Sequence, residues 1–218
     1  MPAQRAEAEM KKWAGKKGNS PDVKPTLIDY WKATGGNYAK NPESAISAGE
    51  PWSAAFISYV KEDPFFKSSA HISWKNKAVK NTENINSDPS KYTDREMYVA
   101  LPINDSSGEQ VVNLNPGDNV WKDRPGGADK SHSDIVISSN KAIGGNLSNT
   151  VRETNIDHEL VIKKVIVVGP KGKDSKRTAG GQKQSATGYD FVSKDVTTDD
   201  EKGFLDKALD AAKSFFSE

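Results

Sequence analysis

The hydrophobic period of this chain changes once, near residue 96. Upstream, apolar residues recur at helical spacing; downstream, short β-branched runs alternate with turn residues. Residues 3–14 predict a helix, with Glu7 and Lys11 at i,i+4 and Gly15 and Gly18 past its end. "PTLIDYWKATGG" predicts a second, started by Pro25, striped by Leu27, Tyr30 and Trp31, and stopped by Gly35 and Gly36. In "PWSAAFISYV", Pro51 suits a first turn, and Trp52, Ala55, Phe56, Tyr59 and Val60 recur at helical spacing. Ala54 and Ile57 make that helix apolar nearly all round, which predicts a central, buried element ending before Asp63-Pro64. Residues 68–81 read as a more polar fourth helix, and "NTENINSDPSKYTD" as a polar loop.

The second half gives five or six strands, in "MYVALPI", "GDNVWK", "HSDIVISS", "KAIGG", "TVRETNI" and "HELVIKKVIVVG". Helices first and strands afterwards predict an α+β fold with a small antiparallel sheet. Residues 169–196, rich in Gly, Lys, Ser and Thr, read as a loop or linker. Residues 197–218 predict an amphipathic helix, opened by a capping box of Thr198 and Glu201. Its apolar face, which includes Phe204, Leu205, Ala208, Leu209, Ala212, Phe215 and Phe216, must bury against this domain or another chain.

Composition removes several function classes. Lys and Arg total 31 against 30 Asp and Glu, so no net field argues for nucleic acid. The lysine-rich "GPKGKDSKR" lacks interleaved aromatics and reads as a solvated loop. There is no cysteine, which excludes disulfides, thiolate metal sites and a cysteine nucleophile. The three histidines lack metal-ligand spacing, so neither a metal nor another cofactor is expected. No window approaches the roughly 18 apolar residues of a membrane span. The first residues lack the apolar core of a secretory signal, so the expectation is synthesis in a cytoplasm with any delivery outside by another route.

Two places could carry chemistry. Ser53 falls in the first turn of the buried helix. His132 and Asp134 are two apart on one strand and share a face with Val136 and Ser138, which predicts a face that is not all core. Asp134 could orient His132 or raise its pKa through its charge. Asp118 in "NPGDNVW" reads as a turn set by Pro116 and Gly117. Trp52, Trp74 and Trp121 are candidates to line a groove for sugar or peptide, with core packing the expectation for two of the three. His158, before "ELVIKK", reads as a surface residue.

"PWSAAFIS" (51–58), "PGD" (116–118), "SHSDIV" (131–136) and "IGGN" (143–146), in that order, resemble a bacterial and phage domain family of unknown function, numbered 2272, related to the papain-like peptidoglycan peptidases of the CHAP and NlpC type. The resemblance covers roughly residues 3–168. It implies a papain-like domain over 1–168, with helices packed on a small curved antiparallel sheet. It places Ser53 where those peptidases carry a cysteine nucleophile, His132 at the base and Asn146 at the polar residue that orients the imidazole. Side chains at i,i+2 on a strand sit too far apart for an ideal hydrogen bond, so Asn146 is the expected orienter rather than Asp134. The two glycines before Asn146 allow close backbone approach. His71 is expected to line the same cleft or support the nucleophile helix. A serine hydroxyl is far less acidic than a thiol, so it requires His132 within hydrogen-bond reach.

Two functions follow as expectations. One is a peptidoglycan amidase or peptidase using Ser53, His132 and Asn146, with backbone N–H groups at the helix start as oxyanion hole and a cell-wall peptide or glycan as partner. The other is an inactive papain-like module in a larger assembly, such as a phage tail or secretion apparatus, joined through the 198–217 helix.

Overall fold

The structure is a computed structural model, and it describes residues 1–124, 131–168, 190–193 and 199–216. In chain order the described residues form α1 (Pro2–Trp13), α2 (Lys24–Ala33), α3 (Gly36–Lys40), α4 (Pro42–Ser47), α5 (Ser53–Lys61), α6 (His71–Ser87), β1 (Glu96–Pro102), β2 (Asn119–Lys122), β3 (His132–Ser138), β4 (Lys141–Gly144), β5 (Arg152–Asn155), β6 (Leu160–Val168), β7 (Asp190–Ser193) and α7 (Asp199–Phe215). The fold is mixed α and β. The chain divides into two compact units, one of Met1–Lys77 with Leu114–Val161, the other of Ala78–Asn113 with Ile162–Glu218.

In the first unit, β2, β3, β4 and β5 pair antiparallel in sequence order. Helices α1 and α5 pack on β3 and β4, and α2 packs on α5. The apolar character of α5 has the predicted result: Ser53 through Ser58 and Val60 are all buried. Its N-cap is Trp52, so Pro51 precedes the helix instead of starting its first turn. Trp52 stacks on Trp13 with ring centroids 4.7 Å apart, and Phe56 meets Tyr30 edge-on at 5.6 Å. Such pairs add about 0.5–1.5 kcal/mol each beyond the area they bury. Below the stack, Trp13 Nε1 donates to Tyr30 Oη at 2.8 Å, and Tyr30 Oη donates to Glu9 Oε2 at 2.5 Å. Burial, with the Glu9 carboxylate beside it, raises the Tyr30 pKa and keeps that hydroxyl a donor.

The β4–β5 connection holds three non-glycine residues in left-handed backbone: Asn146 (φ 60°), Ser148 (φ 53°) and Asn149 (φ 62°). Adjacent positive φ angles at Ser148 and Asn149 suit the turn of a two-residue hairpin, and the Leu147 N–H donates to Thr150 O at 3.0 Å.

In the second unit, β6 pairs antiparallel with β7, and α7 packs on β1 and β7. Thr82, on the later half of α6, ties that helix to β1 by accepting from the Ala100 N–H at 3.0 Å. Of the predicted apolar face of α7, Ala208, Leu209 and Ala212 are buried and Phe215 is 47% exposed. The side chains of Phe204 and Leu205, and the Thr198 half of the predicted capping box, lie outside the described residues.

Three expectations are corrected, and two short helices are added. Helix α6 continues to Ser87, because Thr82 and Ile85 give the polar "NTENINS" a buried edge. Strand β7 lies within 169–196, a stretch read as loop or linker; the rest of it lies outside the described residues. Helices α3 and α4 were not foreseen, being too short to show a period. Both faces of β3 are covered, since His132, Ser133, Asp134, Ile135 and Val136 are all buried.

Candidate active site

Ser53 is the first residue of α5. The first N–H groups of a helix have no partner within it. Here the ladder begins with the Phe56 N–H donating to Trp52 O, and no side chain caps the end. Ser53 lines a cavity of about 190 Å³ with Ala54, Glu50, Ser69, His71 and Ser131 among its walls. Two helix starts therefore meet at one opening, since His71 is the first residue of α6. Glu50 Oε1 accepts from Tyr38 Oη at 2.9 Å on the same wall.

His132 opens β3, opposite Lys122 of β2. Its Nε2 lies 2.7 Å from Asp134 Oδ1, so the i,i+2 pair does meet, contrary to the expectation from strand geometry. The reason is Gly144 on β4. A Cβ there would drive into Asp134 Oδ1 and come within 3.0 Å of His132 Nε2. The missing side chain leaves the space into which both groups lean. Gly145 is equally confined, since a Cβ on it would fall 2.5 Å from Phe56 Cβ. The two glycines of "IGGN" thus seat β4 against β3 on one side and α5 on the other.

Asp134 Oδ2 lies 2.9 Å from Nε2 of His158. This corrects the surface reading of His158, which is 4% exposed. It is brought in by the Glu159 N–H, which donates to Trp121 O at 3.1 Å, and by the pairing of Asp157 with Lys122. His71 completes the group, with its ring centroid 5.9 Å from that of His132. All three histidines of the chain therefore gather around one buried carboxylate. The imidazole–carboxylate contacts are close in distance but are not ideally aligned hydrogen bonds. Among the described residues, no group of three or more His, Cys, Asp or Glu side chains is arranged to hold a metal ion.

Burial alone would raise the Asp134 pKa, but the adjoining His132 and His158 outweigh it and hold the carboxyl below its usual range. His71 moves the other way. Burial, with His132 and Arg124 adding to it and the Asp134 carboxylate opposing it, pushes it down to about 3, so it is a neutral imidazole at ordinary pH. A carboxylate at Nε2 favours the tautomer with its proton there. The other ring nitrogen is then left with a free lone pair, the form a general base requires.

No family model, curated protein or solved structure matches this chain.

The other predicted residues separate. Asn146 lines a second, larger cavity of about 480 Å³, with Asn149, Trp52, Leu27, Trp31 and Glu50 among its walls. Trp31 and Glu50 border both cavities. Asp134, not Asn146, is the group in contact with His132. Trp52 reaches the larger cavity, and its Nε1 donates to Asn149 Oδ1 at 3.3 Å. Trp121 and Trp74 are core residues, and Lys75 Nζ lies 4.9 Å from the centroid of the Trp121 ring. Among the described residues no hydrogen bond joins Ser53 Oγ to an imidazole.

Proposed function

We propose that this chain is a serine-dependent hydrolase of amide bonds in peptidoglycan, with Ser53 as nucleophile, His132 as general base and Asp134 as the group that orients the base. The observation that carries this reading is the 2.7 Å approach of Asp134 Oδ1 to His132 Nε2, in the same unit as a serine on the first turn of a buried helix. The resemblance of "PWSAAFIS", "SHSDIV" and "IGGN" to the papain-like peptidoglycan peptidases supplies the substrate class.

In this mechanism Ser53 Oγ attacks the amide carbonyl as its proton passes to His132 Nδ1. The free N–H groups of the first turn of α5 receive the oxyanion. His132 then protonates the leaving amine, and water releases the acyl group from Ser53 by the same steps in reverse. Asn146 and Trp52 contact the substrate from the adjoining cavity. Substrate closes the Ser53–His132 gap, as catalytic hydrogen bonds commonly tighten only in the complex.

The lack, among the described residues, of a hydrogen bond from Ser53 Oγ to an imidazole favours a second reading, a papain-like module that binds cell-wall polymer without cutting it. Purified wild type, Ser53→Ala and Ser53→Cys, incubated with isolated peptidoglycan, separate the two. Release of new amino groups by wild type and its loss in Ser53→Ala support the hydrolase. Equal inertness of all three, with wild type still sedimenting with the polymer, overturns it in favour of the module.

A further inference from the structure

His158 has no role in the reaction just described, yet it takes half of the carboxylate on which that reaction depends. Asp134 is fully buried, and its two oxygens are divided between two imidazoles, Oδ1 to His132 at 2.7 Å and Oδ2 to His158 at 2.9 Å. Among the described residues no other side chain forms an ion pair or hydrogen bond with that carboxylate. A carboxylate with one partner can rotate about its Cβ–Cγ bond, because only one oxygen is held. Held at both oxygens, it has a fixed plane.

The neighbours of His158 fit an anchoring task. Its Nδ1 lies 3.5 Å from Asp157 Oδ1, and Asp157 is itself paired with Lys122, the residue opposite His132 in the β2–β3 register. Burial of an imidazole is costly unless its polar atoms find partners, and the partner offered here is Asp134. A hydrophobic side chain would avoid that cost. It would also leave Oδ2 buried and unpaired.

We propose that His158 is a positioning residue. By holding Asp134 Oδ2 it fixes the carboxylate plane, so that Oδ1 meets His132 Nε2 and keeps the proton on that nitrogen. The inference rests on the hydrolase reading for its catalytic consequence, but not for its structural one.

The test uses the full chain with 15N-labelled histidine and four forms: wild type, His158→Gln, His158→Asn and His158→Leu. Glutamine keeps a donor long enough to reach Oδ2. Asparagine keeps a donor one methylene shorter, and leucine removes it. In wild type two imidazole Nε2–H protons should be protected from exchange and shifted downfield, one each for His132 and His158. His158→Gln should retain the His132 signal, and His158→Asn and His158→Leu should lose it. Where peptidoglycan hydrolysis is measurable, kcat should fall about tenfold in the Asn and Leu forms with KM unchanged, and stay near wild type in the Gln form.

Two outcomes overturn the proposal: a His132 signal that survives in folded His158→Asn or His158→Leu, or one absent from wild type. Should the Leu form not fold, the Gln and Asn pair still decides. A hydrolase reading that fails in the Ser53 experiment removes only the kcat arm, since the imidazole signals are read without substrate.

Discussion

Gly144 lies where any side chain would enter the Asp134 carboxylate, with His132 Nε2 just 3.0 Å from the position a Cβ would take. The contact between His132 and Asp134 on β3 is therefore made possible by an absence on β4. Gly144→Ala should part Asp134 from His132 and cost about 1–3 kcal/mol of stability by overpacking. Peptidoglycan hydrolysis should fall well below wild type in protein that still unfolds cooperatively. Activity unchanged in Gly144→Ala would show that the pair does not depend on this gap.

His71 gives the fold a dependence on acid. Burial depresses its folded pKa to about 3 from the ordinary 6.5. Between those values the unfolded chain binds a proton that the folded chain refuses. Stability is unaffected by this group above about pH 6.5 and declines as pH falls, by about 1.4 kcal/mol per pH unit at full slope. His71→Leu should flatten that part of the curve. Urea unfolding of both proteins between pH 4.5 and 7 measures it, and parallel curves would contradict the assignment. The groups that bear on His71 are His132, Asp134 and Arg124, so the comparison is made at one fixed ionic strength.

Helix α7 buries Leu209 against its own unit. Leu209→Ala should lower stability by about 2–5 kcal/mol without changing the sedimentation coefficient of the folded protein. A change in assembly with stability intact would return that face to the role expected from sequence, an anchor for another chain.

Tyr30→Phe should destabilise the first unit by about 1–3 kcal/mol, because it leaves Trp13 Nε1 and the buried Glu9 carboxylate without their shared partner. Thermal unfolding measures the loss. The double variant with Glu9→Gln should recover part of it, since the stranded charge is then gone.

Much of this was legible along the chain because its signals are local. The apolar circumference of α5, the alternation of β3 and the paired glycines before Asn146 each declare themselves within ten residues. The site was legible only where its members are neighbours in sequence, as His132 and Asp134 are. His158 stands 24 positions after Asp134 in a segment that looks like a polar approach to a strand, and nothing there distinguishes it from a surface histidine. Its one clue was Asp157 beside it, an acidic residue that pairs with Lys122 of β2. Asn146 drew attention as the residue after two glycines, but those glycines serve Asp134 and Phe56 instead. Helices α3 and α4 are built from "GNYAK" and "PESAIS", too short for periodicity to rise above composition.

The gathering of His71, His132 and His158 has a practical consequence for watching this protein move. All three rings are buried, and the chain has no other histidine. A reagent that acylates imidazoles, whatever it does to lysines, meets no exposed histidine on the folded chain, and its histidine adducts gather as the first unit opens. The rate at which the chain gains the three adducts is then a clock for that opening. Any ligand that slows the clock must bind the closed form, whatever the chemistry that follows.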